Sequence, residues 1–270
     1  MPDSYALGHT SGELRRLATQ ARLIDPITDR FFREAGLAAR MRVLDVGSGA
    51  GDVAMLAARI VGDDGEVVGT DKAEAAIAVA KSRVYENGFH NLSFIEGDPA
   101  EMKFEQPFDA VVGRYVLQFL PDPAASLAKL ARLLRPGGVM VFHELDWQGA
   151  RSSPPATGYD LCCKWCAETI KRLGAETSMG VKLASVFSAA GLKAPTLRLE
   201  SVIGAGAGCN DVVHLVTDLV ETLAPDMERL AVATRAEIGL ENLFERVFEE
   251  VVAKRSTVLG RSEIGAWTRV

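Results

Sequence analysis

No run of about 18 apolar residues occurs in the chain, so no membrane-spanning helix is expected. No basic tract occurs either, and a net charge of −6 argues against a phosphate-backbone partner. Cysteines number only four, at Cys162, Cys163, Cys166 and Cys209. Cys163 and Cys166 have C-x2-C spacing, but no second such half and no H-x3-H follows, so no metal site is expected. The start, MPDSYALGHTSGEL, lacks a basic-then-apolar leader pattern, which leaves disulfides unfavoured and a cytoplasmic setting expected. Internal repeats and a disordered linker are absent as well.

What remains is an ordinary globular composition, 48% hydrophobic over 270 residues, enough for a sizeable core. From residue 41 short apolar runs alternate with helical patterns. Strands are expected at 41–47, 65–71, 91–98, 108–114 and 137–145, and helices at 52–62, 73–88 and 122–134. Continuous apolar strands alternating with helices imply a parallel sheet covered on both faces. After Trp147, GARSSPPATG reads as a loop, 159–173 and 180–193 as helices, 194–204 as a strand, and 211–258 as a long helical region. Residues 263–270 read as a short last strand, and the first 35 residues as helical ahead of Pro26.

The stretch RVLDVGSGAGD holds the chemistry. Gly47, Gly49 and Gly51 fall at a strand-to-helix turn, where glycine allows positive φ and a bare backbone against a ligand. A dinucleotide fingerprint would need a further glycine at 52, where Asp52 stands, and Asp45 would repel a pyrophosphate. Asp45 would instead welcome an ammonium group. Asp71 ends the second strand, where a carboxylate accepts from a ribose diol; Asp98 ends the third and can reach an adenine amino group. An amino-acid end, a ribose and an adenine without phosphate describe S-adenosyl-L-methionine.

The segments VLDVGSGAGD, VVGTD, FIEGDPAEMKF, FDAVVGRYVLQFLPDP and LLRPGGVMVFHE resemble, in order and spacing over residues 40–147, the motifs of class I S-adenosylmethionine-dependent methyltransferases of the bacterial small-molecule type. The resemblance implies an α/β fold: a Rossmann-like, mostly parallel seven-stranded sheet flanked by helices. To it are added an N-terminal helical lid (1–35) and a helical insertion before the last strand. The cofactor core would span 36–147, and 148–270 would hold the remaining core elements and a substrate cap. It further implies cofactor contacts from Asp45, Gly47, Ser48, Gly49, Gly51, Asp71, Lys72, Gly97, Asp98, Pro99, Gly113 and Arg114, with Gln20 from the lid, and S-adenosyl-L-homocysteine as product.

Ligands of open parallel sheets sit beyond the carboxyl ends of the strands. That makes Tyr115, Gln118 and Trp147, with Tyr5, His9 and Tyr159 from the flanking segments, candidates to line a substrate pocket. His143 and Glu144 end the fifth strand with side chains on opposite faces, and each is a candidate base. The expected activity is methyl transfer to O, N or C of a small molecule by a monomer or homodimer, without nucleic acid or membrane. Arsenite methylation through the cysteine cluster, a cofactor-binding protein that does not methylate, and NAD-dependent oxidoreduction are the competing readings.

Overall fold

In the computed structural model, residues 11–270 are described, with side chains from Thr19 onward. Helix α1 (Ser11–Ala35) runs through Pro26 without breaking. Its Asp25–Ala35 half is apolar on one face, and Ile27, Phe31, Phe32 and Ala35 are buried. Then come β1 (Arg42–Val46), α2 (Asp52–Val61), β2 (Glu66–Asp71), α3 (Glu74–Glu86), β3 (Leu92–Glu96), β4 (Phe108–Arg114), α4 (Pro123–Ala131) and β5 (Leu134–Asp146). A short strand β6 (Arg151–Ser153) precedes α5 (Thr157–Arg172), α6 (Met179–Ala189) and β7 (Thr196–Ala205). The chain closes with α7 (Asn210–Arg229), α8 (Arg235–Ile238), α9 (Leu243–Ala253) and β8 (Thr257–Arg269).

Two compact units form. The larger comprises Asp25–Glu144, Met179–Leu199 and Glu263–Val270. Its hydrogen-bonded strand order is β3-β2-β1-β4-β5-β8. Strands β1 to β5 pair in parallel, with Asp45 opposite Gly69 on one side and Val112 on the other. The central strands are buried almost end to end, as strands covered on both faces must be. One face packs α2 and the end of α1 through Phe32, Val53, Ala57 and Val61; the other packs α4 and α6 through Leu127, Leu130, Leu183 and Phe187.

The smaller unit comprises the chain up to Ile24, Leu145–Ser178 and Glu200–Ser262. Here α5, α7 and α9 pack on one another around Cys162, Cys166, Val213, Val216, Val220, Val247 and Val251. In this unit β6 pairs antiparallel with the start of β8, Arg151 opposite Leu259.

The described residues carry eight strands in one sheet, not the seven expected. The extra one, β6, lies in the stretch read as a loop; three residues before a double proline leave no alternation to detect. The last strand also begins earlier than expected, because Arg261 and Ser262 are buried strand residues whose polarity reads as surface. Among the described residues no helix is long and apolar enough to cross a membrane.

Candidate cofactor cradle and buried polar network

Strand β1 delivers the chain into a turn whose Gly47, Gly49 and Gly51 all have positive φ, at 64°, 52° and 91°. A Cβ on Gly47 would lie 2.8 Å from Val116 Cγ2, and one on Gly51 would lie 2.7 Å from Phe94 Cζ, so both positions exclude a side chain. Helix α2 starts directly after the turn and aims its free N–H groups back at it. Arg83 of α3 braces the turn, donating to Ala50 O at 2.6 Å and to Asp52 Oδ1 at 2.7 Å. Asp52 therefore begins the helix and holds an ion pair, the role its place after Gly51 suggests.

Three carboxylates ring this turn. Asp45 is 1% exposed, and neither of its oxygens has a hydrogen-bond partner. Burial pushes its carboxyl well above the ordinary range; the Arg114 charge opposes the shift, and the Ala54 amide does so from outside hydrogen-bond geometry. The buried Ser48 hydroxyl is likewise without a partner. Asp71 accepts from Gly49 N and from Ala73 N, each at 2.9 Å, so it ties the turn to the start of α3. Two bonds leave a carboxylate about half of its acceptor sites. Asp98 accepts from Ala100 N at 2.9 Å and pairs with Lys72 at 2.9 Å. Burial works to raise its carboxyl, but Lys72 and the Ala100 amide outweigh that and hold it below the ordinary range. Gly97, beside it, donates its N–H to Asp71 O.

A second polar cluster in the same unit joins α1, the ends of β4 and β5, and the middle of β8. Arg114, 9% exposed, donates to Asp25 Oδ1 at 2.7 Å and to Thr28 Oγ1 at 2.9 Å. Thr28 Oγ1 lies 3.1 Å from His143 Nδ1, and His143 Nε2 lies 2.9 Å from Glu263 Oε2. Tyr115 donates its hydroxyl to the same Glu263 oxygen at 2.6 Å. An ionised carboxylate only accepts, so the ring proton is assigned to Nε2, facing Glu263. His143 and Glu263 are both fully buried, and the Phe31 ring meets the imidazole edge-on.

Glu144 points the other way along β5. Its Oε1 accepts from Val116 N at 2.8 Å and Leu117 N at 2.7 Å, capping a single 3-10 turn, while the buried Oε2 has no partner. Burial pushes this carboxyl up to about 8, against the Leu117, Val116 and Gln118 amides, which favour its charge. Gln118 donates from its amide to Tyr115 O.

The larger unit thus gathers Asp45, Gly47, Ser48, Gly49, Gly51, Asp71, Lys72, Gly97, Asp98, Pro99, Gly113, Arg114, Tyr115, Gln118, His143 and Glu144. Gln20, Trp147 and Tyr159 belong to the smaller unit, where Tyr159 is fully buried and donates its hydroxyl to Leu259 O. Tyr5 and His9 lie outside the described residues. Sequence reasoning missed Asp25, Thr28, Arg83 and Glu263. The one signal for Glu263 was an acid inside SEIGAW, an otherwise small and apolar strand.

The four cysteines are free and buried in the smaller unit, and burial pushes the Cys162 thiol up to about 12. Among the described residues no group of three or more His, Cys, Asp or Glu side chains could hold a metal ion.

A family model described as a methyltransferase domain matches residues 37–191. A ubiquinone/menaquinone biosynthesis C-methyltransferase of Coxiella burnetii is 32% identical over 135 residues, 49% of this chain and 52% of that protein. A demethylmenaquinone methyltransferase of Staphylococcus saprophyticus is 34% identical over 136 residues, 50% of this chain and 55% of that protein. The chain spans about half the length of the curated relatives it matches. A solved geranyl diphosphate methyltransferase superposes over 99% of this chain and 95% of its own, with a TM-score of 0.54 and 16% identity, a likeness of fold.

Proposed function

The chain belongs to the methyltransferase domain family, and from that premise we propose that it transfers the methyl group of S-adenosyl-L-methionine to a small organic acceptor. The observation that carries the cofactor reading is the pair of unpartnered buried groups at the glycine turn, Asp45 and Ser48, beside the part-exposed Asp71. A buried carboxylate without donors is costly unless a ligand supplies them. An ammonium group does so, and ionises Asp45 as it binds. Asp71 has acceptor sites left for a diol. The side-chain-free glycine turn lets a ligand carboxylate approach the N-terminus of α2, and Asp98 accepts from an exocyclic amine. The residues present fit the cofactor.

Bound there, the cofactor supplies an activated sulfonium methyl that a nucleophile can take directly. The chain's own task is then to hold, orient and exclude water, and alignment alone can supply about 7–11 kcal/mol in favourable cases. No strong base is required by that chemistry. His143 and Glu144, the two candidates, are both fully buried and bonded within the protein.

The name of the Coxiella burnetii relative, a C-methyltransferase, favours carbon as the acceptor atom, and both curated names favour methyl transfer to an organic molecule over arsenite methylation or nicotinamide chemistry. The inert, buried thiols point the same way, since metalloid capture needs exposed thiolates. The reading carries with it a cytoplasmic setting and a monomer or homodimer. Its test has two stages. Calorimetry should show S-adenosylhomocysteine binding well ahead of NAD, and Asp71→Ala should weaken it by at least about 1.5 kcal/mol. Turnover of labelled cofactor over quinols, phenols and amines should then yield a methylated product. Preference for NAD, or unchanged affinity in Asp71→Ala, would refute the assignment.

A further inference from the structure

We infer that Glu263, acting through Tyr115, is a positioning residue for the turn that closes the cofactor cradle; this rests on the cofactor reading above. Four observations meet at that turn. Tyr115 has φ of 59°, a left-handed conformation that a non-glycine aromatic residue holds only when its surroundings over-determine it. Such outliers gather at ligand clamps. The next residue, Val116, is the one whose methyl groups stand against Gly47, the first glycine of the cradle. The backbone here is pinned at three successive positions, since Tyr115 N donates to His143 O while Val116 N and Leu117 N donate to Glu144. Finally, the Tyr115 side chain is drawn inward by a 2.6 Å bond to Glu263, which His143 holds in turn at 2.9 Å.

The arrangement has a direction. Glu263 and His143 are each wholly buried and bonded to one another. Tyr115 is part-exposed and adjoins the residue that abuts the glycine turn. A carboxylate oxygen that accepts both a phenol and an imidazole fixes the phenol's rotamer more tightly than a lone neutral bond does. Losing that bond frees the side chain that supports the strained φ, and Val116 then relaxes against Gly47. The buried acid on the last strand thereby sets the shape of a loop nearly 150 residues earlier.

The experiment is a double-mutant cycle read on ligand affinity. Wild type, Tyr115→Phe, Glu263→Gln and the double variant are titrated with S-adenosylhomocysteine by calorimetry, with circular dichroism to establish folding. Each single variant should bind about tenfold more weakly, and the double should bind no worse than the weaker single within about twofold, which is coupling through a shared contact. Independent losses that multiply, or an unchanged Kd in Tyr115→Phe, would overturn the inference. A merely structural role for Glu263 would lower the melting temperature while leaving the two affinity losses to multiply. Should Glu263→Gln not fold, Tyr115→Phe alone decides, because it removes only the hydroxyl. If the wild type itself binds no S-adenosylhomocysteine, the cofactor reading falls and the inference with it; binding by the wild type with uncoupled variants sinks the inference alone.

Discussion

Replacing Glu144 by glutamine should make the protein's stability less sensitive to rising pH. In the folded protein this carboxyl ionises at about 8, against 4.5 for an ordinary glutamate. Between those values the unfolded chain has released a proton that the native state keeps. Stability therefore falls as pH rises through that window, by at most about 1.36 kcal/mol per pH unit. The whole window is worth a ceiling of about 5 kcal/mol for this one group. The group is fully buried, so solvent screening takes little from that, although local relaxation will. The glutamine amide keeps an oxygen for the Val116 and Leu117 N–H groups and puts an NH2 where the protonated Oε2 of Glu144 sits. At about pH 4 the variant should thus match wild type within roughly 1 kcal/mol, as a neutral-for-neutral exchange. By about pH 8.5 it should be the more stable by roughly 2 kcal/mol or more. Urea titrations of both proteins at these pH values, compared at constant m, measure the difference directly. Parallel stability curves would refute the reasoning, since they would mean that Glu144 is ionised in the native state like any surface acid.

Asp45 offers a related test: an ammonium ligand should ionise it, so cofactor binding should release a proton and the calorimetric enthalpy should change with the buffer's ionisation enthalpy; no buffer dependence would mean that Asp45 is already charged. Deleting residues 1–22 should leave the circular dichroism of the sheet intact, weaken cofactor binding and abolish most transferase activity, because the proposed lid is gone; near wild-type turnover would end the lid proposal. The four thiols should react with a disulfide reagent only slowly in the native protein and fully in denaturant, and rapid labelling of any one would contradict their burial.

How far the sequence could be read depended on whether a signal was local. The glycine turn, Asp71 and Asp98 lie next to the strands that carry them, and β1 to β5 announce themselves by apolar runs. Helix α1 was legible within the first 35 residues read as helical; a proline normally ends a helical pattern, and Ile27, Phe31 and Phe32 in the core of the larger unit carry it past Pro26. Strand β6 is too short to show a period. The buried network was invisible for a different reason. His143 and Glu263 are 120 residues apart, and Tyr115 and Glu263 are 148 apart, so no spacing relates them. Lone polar residues at strand ends read as surface until their partners are known. Arg83 was hidden in the same way, as one more basic residue on a largely exposed helix.

The place of Glu263 on the final strand has a consequence for the order in which the protein is made. Every cradle residue from Asp45 to Asp98 precedes residue 100, and His143 follows. The acid that His143 and Tyr115 share is made only 120 residues after the one and 148 after the other. Until then the nascent sheet holds an imidazole and a phenol with no carboxylate between them, an open edge at β5, and a long loop still to close. Docking of β8 is accordingly the step that should be slow in refolding, and the step at which hydrogen exchange should first protect Tyr115 and Val116.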